Sequence, residues 1–416
     1  MNTKTTAYDV AMQSLDRVAD IMQLSDEVLG FLRAPQRSMI VELPVRMDDG
    51  SLRFFTGYRV QHNHALGPVK GGTRLHPDET LDDVKALAFW MTVKNSLAGI
   101  PAGGGKGGIA VEPSTLSLPE LERLCRAYIR AIFPILGPKI DIPGPDMGTP
   151  QQVMAWFMDE YENIAQHHEP AVFAGKPPLL GGSLGRDRAT GYGLVYVMEK
   201  MLQLRGENLA GQRIAIQGFG NLGTHAADLF TQKSAIVIAV SDVHGGIFNA
   251  NGINVKEAMN YIREKGSLTN FPGCDSIGNA ELLELKCDIL APCALQSQIT
   301  AQNAGRIKAR YIAEGANGPT TPEAEDMLLA AGVCIVPDVV ANAGGTTVSY
   351  FELVQDLYQY FWPVEEVFPK MGAIMQKSAE EVYAQAVDKK VSLRQAAWIT
   401  SLGKVVSAMK LRGWVR

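Results

Sequence analysis

Residues 213–242 read RIAIQGFGNLGTHAADLFTQKSAIVIAVSD, and this stretch decides the fold. Ile214–Ile216 is a short apolar strand. It runs into Gly218-Phe219-Gly220-Asn221-Leu222-Gly223, which fits G-x-G-x-x-G. A helix is expected over Thr224–Lys233 and a second strand over Ala235–Val240, with Asp242 following at its end, about 20 residues on from the motif. The first glycine makes a tight turn, the second lets backbone approach a pyrophosphate, and the third lets helix and strand pack closely. The helix N-terminus offers free N–H groups and a partial positive charge to phosphate. Alone, such a motif reads equally well as a glycine-rich turn. Strand, turn, helix, second strand and acid in that order make it a dinucleotide site. A carboxylate at Asp242 suits ribose hydroxyls and disfavours a 2′-phosphate, whereas His244 offers partial counter-charge, so NAD is expected ahead of NADP.

Towards the C-terminus, short apolar strands recur at Asp288–Leu290, Tyr311–Ala313 and Val333–Val336, with helical stretches between them. Strands alternating with helices predict a parallel sheet covered on both faces. The last 50 or so residues read as helix. Towards the N-terminus, the Pro- and Gly-rich Lys176–Arg188 (KPPLLGGSLGRDR) marks a domain boundary. Before it lie a helical stretch at Ala7–Ala34, strands within Met39–Gln61, and helices at Glu79–Ala98, Leu118–Leu136 and Gln151–His167. Gly67–Arg74, Gly103–Gly108 and Pro143–Pro150 read as loops.

Composition narrows the function. The chain has 416 residues, 46% hydrophobic and 20% charged, which excludes wholesale disorder and suggests two or three domains. A net charge of −5 argues against a dedicated nucleic-acid binder. No apolar run approaches the roughly 18 residues of a membrane span, and Met1–Val10 lacks a signal-peptide pattern. Five scattered cysteines without CxxC fit a reducing cytoplasm and no zinc site. His62 and His64, and the adjacent His167 and His168, match no metal spacing and read as surface or cap residues, so no metal is expected.

Three lysines and one aspartate stand out before the boundary. Lys70 is a long cation fixed between prolines and glycines in GPVKGGTR, where a solvated loop lysine is the plain reading. Lys94 shares a helix face with Leu87 and Met91, so it either snorkels or works. Lys106 stands alone between Gly103-Gly104-Gly105 and Gly107-Gly108. That run loses much backbone entropy on folding and needs a reason; close approach to a ligand is one, and a floppy surface loop is the alternative. It is not a P-loop, because position 100 is Ile and Gly107 replaces the Ser/Thr. A lysine in a dry, crowded site can act near neutrality. Asp146 in DIPGPDMGT is stiffened by Pro143 and Pro145, and reads as either a cap or a proton carrier. A dinucleotide domain implies hydride transfer. Several fixed cations suggest a substrate with more than one carboxylate. A lysine with a carboxyl group suggests water activation at a carbonyl or imine carbon. Oxidative deamination of a dicarboxylic amino acid fits all three.

Seven stretches carry a family resemblance: GPVKGGTR (67–74), KNSLAGIPAGGGKGG (94–108), DIPGPDMGT (141–149), GRDRATGYG (185–193), GFGNLG (218–223), AEGANGPTTPEA (313–324) and PDVVANAGGTTVSYFE (337–352). In these the chain resembles the hexameric glutamate dehydrogenases of the Glu/Leu/Phe/Val dehydrogenase superfamily. The resemblance implies an α/β chain in three parts. Residues 1–185 form a substrate-binding and oligomerisation domain, 186–360 a Rossmann-like dinucleotide-binding domain, and 361–416 helices packing back on the first domain. It implies that Lys106 activates water, that Asp146 moves protons to and from the amino group, and that Lys94 binds the α-carboxylate. Lys70 and Ser349 would hold the side-chain carboxylate, with Gly71 beside them. Thr190 and Asn317 would lie near the nicotinamide and Asn342 near the amino group. It also implies a cytoplasmic homohexamer using NAD or NADP, without membrane or nucleic-acid partners.

Two positions depart from many members of the family: Gly144 stands for Ala and Thr346 for Val, both lining the side-chain pocket in the resemblance. One removes a methyl and the other adds a hydroxyl. The expectation is a roomier or more polar pocket that admits a bulkier anionic 2-oxo acid, such as one bearing a phosphinate. Other members of the superfamily, acting on leucine, phenylalanine or valine, are the next reading, and Lys70 and Ser349 speak against them. A catalytically silent nucleotide-binding subunit is disfavoured by the presence of Lys106 and Asp146.

Overall fold

The partly alternating apolar residues within 39–61 form an antiparallel hairpin, β1 (Arg37–Arg46) and β2 (Leu52–Asn63), in register from Arg37 opposite Gln61 to Arg46 opposite Leu52. The computed structural model describes residues 6–416, so the first half of the leader reading at Met1–Val10 lies outside the described residues. Three more strands complete the first sheet: β3 (Val69–His76), β4 (Gly103–Ala110) and β5 (Asp141–Pro145), in the order β1-β2-β4-β3-β5. β3 is parallel to both of its neighbours.

Of the three stretches expected to be loops, 67–74 is largely and 103–108 wholly strand, whereas 143–150 is strand only as far as Pro145 and a loop beyond it. Their glycines are there for packing rather than for turns. Among them only Gly67 and Gly148, outside the strands, have positive φ. The helix Leu81–Leu97 lies directly on β4. A Cβ at Gly104 would run into Thr92 and the Ala88 carbonyl, and one at Gly108 into Glu79 and Val84. A Cβ at Gly71 would run into the Gly105 carbonyl, so the need for glycine there is steric. Asn95 on the helix donates to Lys70 O and Gly103 O, which fastens it to β3 and β4. On the β1–β2 side, Arg59 and Asp141 form a wholly buried ion pair that ties β2 to β5, and Gln61 donates to the same carboxylate at 3.0 Å. An apolar core fills the space beneath, between the helices Leu118–Ile132 and Gln151–Ala165, with Tyr128, Phe157 and Phe173 at its centre.

The second sheet has seven strands: β6 (Arg213–Gln217), β7 (Ile236–Ser241), β8 (Gly246–Phe248), β9 (Asp275–Ile277), β10 (Ile289–Pro292), β11 (Tyr311–Ala313) and β12 (Cys334–Val336), in the order β12-β11-β10-β6-β7-β8-β9. The five from β12 to β7 are parallel. β8 and β9 are antiparallel additions that the sequence reading missed. The short turn at 242–245 is too brief for a crossover, which forces β8 to run back along β7.

The chain divides into two compact units. The first comprises the described residues up to Arg186 together with Val348–Val367 and Trp398–Arg416; the second comprises Asp187–Thr347 and Phe368–Ala397. The C-terminal stretch is thus shared rather than a single block. Within the first unit Ser401 donates to Val93 O at 2.9 Å and Arg412 to Ala65 O at 2.7 Å, so the last helix does return to this unit. Within the second, Tyr192 stacks on Phe368 with ring centroids 4.6 Å apart. Among the described residues, no helix is long and apolar enough to cross a membrane.

If helix contact explains the glycines of β4, Gly104→Ala lowers the melting temperature, by on the order of 1–3 kcal/mol of overpacking. Gly30→Ala, on the helix Asp26–Arg33 with open space around it, leaves Tm unchanged or raises it. Equal shifts in thermal unfolding of the two variants would contradict the packing account.

Candidate active site

β4 carries one side chain between Gly103 and Gly108, and that side chain is Lys106. Its ammonium ion-pairs with Asp146 Oδ2, directly after β5, and its side chain is 4% exposed. Asp146 Oδ1 accepts from Arg74 Nε on β3 at 3.2 Å and from the Met147 amide at 2.7 Å. Thr149 Oγ1 accepts from the Asp146 amide and donates to Thr73 O, both at 2.7 Å, which fixes the turn. Burial pushes the Asp146 carboxyl up, but Lys106 and Arg74 together outweigh it and hold the group well below the usual carboxylate range. Asp146 is therefore a fixed anion in contact with a nearly dry lysine. It does not cap the following helix, whose N-cap is Pro150.

Lys70 on β3 is 4% exposed, and among the described residues its ammonium makes no hydrogen bond or ion pair. Burial first and Arg186 second, with Glu352 opposing them, lower its pKa to about 7. Arg186 Nε donates at 2.8 Å to Ser349 Oγ, on the helix Gly344–Tyr358. That helix is anchored by a wholly buried triad. Lys176 Nζ donates to Glu352 at 2.6 Å and Asp356 at 2.8 Å, while the Gly175 and Lys176 amides donate to Glu352. Ser349, Glu352 and Asp356 share one helix face, so the triad fixes where Ser349 stands. Lys94 is half-buried in the last turn of Leu81–Leu97. Gly144 is buried on β5.

In the second unit the glycine motif has the expected geometry. Gly218 has φ +94° and sits against the Ala294 backbone; Gly220 faces open space; Gly223 packs on the Gly218 carbonyl and Ile216. Phe219 is buried and Leu222 half-buried, and Asn221 donates to Asp187 O at 2.8 Å. Gly220 is the N-cap of Asn221–Gln232 and gives no side-chain cap, so the helix end is open to an anion. This cradle fits a dinucleotide pyrophosphate. Asp242 is held by amides: Oδ1 accepts from His244 and Gly245 and Oδ2 from Leu268, leaving limited capacity for a ribose. Asn342 is 6% exposed and donates to Gly315 O at 3.1 Å and Asn317 Oδ1 at 2.8 Å, while its own Oδ1 is enclosed and without a partner. Thr190, at the start of Ala189–Leu204, and Thr346 are half-buried.

In the first unit, then, the structure joins Lys106 to Asp146 and draws Ser349 to Arg186, with Arg186 bearing electrostatically on Lys70. In the second it joins Asn342 to Asn317. Sequence reading missed Arg74 and Arg186, although both lie in quoted motifs, and it missed the Lys176 triad, which leaves no local signal. His62 is a correction. It is wholly buried, its ring nitrogens meet Thr92 Oγ1 at 2.8 Å and Leu32 O at 2.9 Å, and burial lowers its pKa to about 4. Among the described residues, no cluster of His, Cys, Asp or Glu could hold a metal.

Comparison with known proteins gives a consistent picture. Residues 181–413 match the family model described as Glutamate/Leucine/Phenylalanine/Valine dehydrogenase, and residues 35–163 match the Glu/Leu/Phe/Val dehydrogenase dimerisation domain. The chain is 48% identical over 407 residues to a glutamate dehydrogenase of Thermotoga maritima, covering 98% of each. It is 46% identical over 415 residues to a catabolic NAD-specific glutamate dehydrogenase of Bacillus subtilis, covering 100% of this chain and 96% of that one. A leucine-bound hetero-hexameric glutamate dehydrogenase from Thermus thermophilus superposes with a TM-score of 0.92 at 37% identity, covering 99% of this chain and 98% of that one.

Lys70 supplies a pH test. Its lowered pKa leaves it neutral above about 7, and an anion beside it favours the charged form. Binding of a small dicarboxylate such as glutarate therefore takes up protons at pH 8 and takes up almost none at pH 6, where the lysine is already charged. Calorimetry in two buffers of different ionisation enthalpy reads this directly. Zero uptake at pH 8 would contradict the assignment.

Proposed function

The chain belongs to the Glu/Leu/Phe/Val dehydrogenases, and from that premise we propose that it is a glutamate dehydrogenase using NAD, converting L-glutamate and water reversibly to 2-oxoglutarate and ammonium. One observation carries the choice of substrate within the family. Lys70 is buried and, among the described residues, has no hydrogen-bond or ion-pair partner, with the Arg186–Ser349 pair acting on it from nearby. An uncompensated buried cation is unfavourable, and a γ-carboxylate resolves it, whereas a leucine or phenylalanine side chain would not. NAD is favoured over NADP by the Asp242 carboxylate at the end of β7 and by the NAD-specific relative.

Bound at the Gly218–Gly223 turn, the dinucleotide supplies the hydride acceptor. The chain's own residues do the rest. Lys94 holds the α-carboxylate, and Lys70 with Ser349 the γ-carboxylate. Lys106, in its free-amine form, takes a proton from the water that attacks the iminium carbon. Asp146, kept ionised by Lys106 and Arg74, receives and returns a proton at the amino nitrogen. In the second unit, Asn342 Oδ1 is available as an acceptor for an N–H donor, and its Nδ2 is committed to Gly315 and Asn317.

Within this activity the pocket is wider than the family norm. A methyl at Gly144 would stand 3.8 Å from Ala174 O and 3.9 Å from its Cβ, in ordinary contact, so its absence leaves usable space. The space at Gly144, in the first unit, suits 2-oxo acids with a bulkier anionic γ-group; Thr346, in the second unit, carries a hydroxyl. The proposal includes a homohexamer, where the Thermus relative is a hetero-hexamer, working in the cytoplasm, where its five free thiols stay reduced. Ile40, Leu52 and Phe54 stand exposed on one face of the β1–β2 hairpin, within the stretch matching the dimerisation model. Light scattering gives the copy number, and a monomer would refute this.

The activity is tested by NAD reduction with glutamate, leucine and phenylalanine. Glutamate is expected to dominate, and Lys70→Leu to lower its kcat/KM by about 10²-fold or more. Leucine turning over as well as glutamate in the wild type would overturn the substrate assignment. In the reductive direction, Gly144→Ala should fold normally. It should lower kcat/KM for a bulky anionic 2-oxo acid relative to 2-oxoglutarate by about tenfold or more. An unchanged ratio would remove the widened pocket.

A further inference from the structure

Glu79 takes no part in the chemistry above, yet it is 5% exposed, and its Oε1 is enclosed without a hydrogen-bond partner. It stands just before the helix Leu81–Leu97 and its amide donates to His76 O at 3.2 Å. Its side chain lies over β4: a Cβ built on Gly108 would be 3.0 Å from Oε1. Gly108 is two residues from Lys106, so both positions share one face of the strand. Gly108 is also the register partner of Arg74, which holds Asp146. A buried, unpartnered carboxyl group has thus been placed against the face of the strand that bears Lys106.

The groups that act on Glu79 are Arg74 on β3, Lys106 on β4, Asp83 on the adjoining helix and Asp146 after β5. Tyr58 on β2 and Tyr128 on Leu118–Ile132 are raised first by burial, with the Glu79 charge a small further contribution. Among the described residues, none of these forms an ion pair with it. We propose that Glu79 is a positioning residue for the acid–base pair: acting through Lys106 and Arg74, without touching substrate, it sets how readily the pair gives up and recovers a proton. The proposal rests on the roles given to Lys106 and Asp146.

The charges explain how. Arg74 and Lys106 face Asp146 and Asp83 around Glu79, and ionising Glu79 adds one more negative charge to that cluster. In a dry site that difference is large compared with its value in water. Burial pushes Glu79 up to about 7 against the pull of Arg74 and Lys106, so the balance changes near neutrality. The ionised form favours the ammonium state of the lysine facing it, which suits returning a proton during reductive amination. It also delays the free amine that oxidative deamination needs.

The test is the pH profile of kcat for glutamate oxidation. Glu79→Gln keeps the shape and removes the charge. Its acidic limb is expected to move to lower pH by about half a unit to one unit, with KM for glutamate within about twofold, because Lys70, Lys94 and Ser349 are untouched. Glu79→Asp restores the charge and returns the limb towards wild type. If the Gln variant does not fold, Glu79→Met is read in the same way. An unmoved limb, or a fall in kcat by one factor at every pH, overturns the proposal. Absence of glutamate oxidation in the wild type overturns the functional reading and this proposal with it; a working wild type with an unmoved limb overturns this proposal alone.

Discussion

A helix laid on a strand too closely to allow side chains beneath it is the constraint from which the first unit's chemistry follows. Thr92 and Ala88 occupy the space where a side chain at Gly104 would go, and Val84 and Glu79 that at Gly108. The same strand must still present a reactive group, and it presents only Lys106. Water is excluded because helix and strand touch on either side of that lysine. The conformational entropy that five glycines lose on folding is offset by a close-packed sheet–helix layer. The product is an amine held nearly dry against one carboxylate.

The buried charges fall into two kinds, and the difference separates scaffold from site. Arg59 with Asp141, and Lys176 with Glu352 and Asp356, are wholly buried ion pairs, although Asp356 Oδ1 is left without a hydrogen bond. In the second unit Arg394 reaches Glu314, Glu325 and Asp338, and Asp338 accepts in turn from the Gly318 amide, which steadies the loop carrying Asn317. Such groups tolerate burial because each has its counter-charge, and removing one partner would be strongly destabilising. Lys70, Glu79 Oε1 and Asn342 Oδ1 lack partners. Glu79 Oε1 and Asn342 Oδ1 are enclosed without a hydrogen bond, and Lys70 is 4% exposed. An unmet electrostatic need is the more specific sign of function here than perturbation as such.

The sequence was most legible where a motif and its structural context agree. GFGNLG lies between an apolar strand and a helix, with a positive-φ turn at Gly218, open space at Gly220 and close packing at Gly223. It was least legible where glycine has two meanings. In GGTR and GGGKGG the residues that usually punctuate chains are strand residues, kept small by the helix over Gly104 and Gly108 and by the neighbouring strand at Gly71, which only the fold shows. β8 and β9, GIF and DSI, lack the apolar run that marks the equally short β11 and β12. Lone charged residues such as Lys176, Glu352 and Arg394 look like solvated side chains until the fold brings them together. Lys70 and Lys106 were readable as candidates, but the missing partner of the first and the companion Glu79 of the second were not.

The central claim is that this is a glutamate site assembled from an unpaired lysine and a lysine–aspartate pair. The most direct measurement is a crystal structure with glutamate bound. The account predicts the γ-carboxylate on Lys70 Nζ and Ser349 Oγ, the α-carboxylate on Lys94, and the Lys106–Asp146 pair facing the α-carbon. A γ-carboxylate bound elsewhere, with Lys70 still unpartnered, would contradict it.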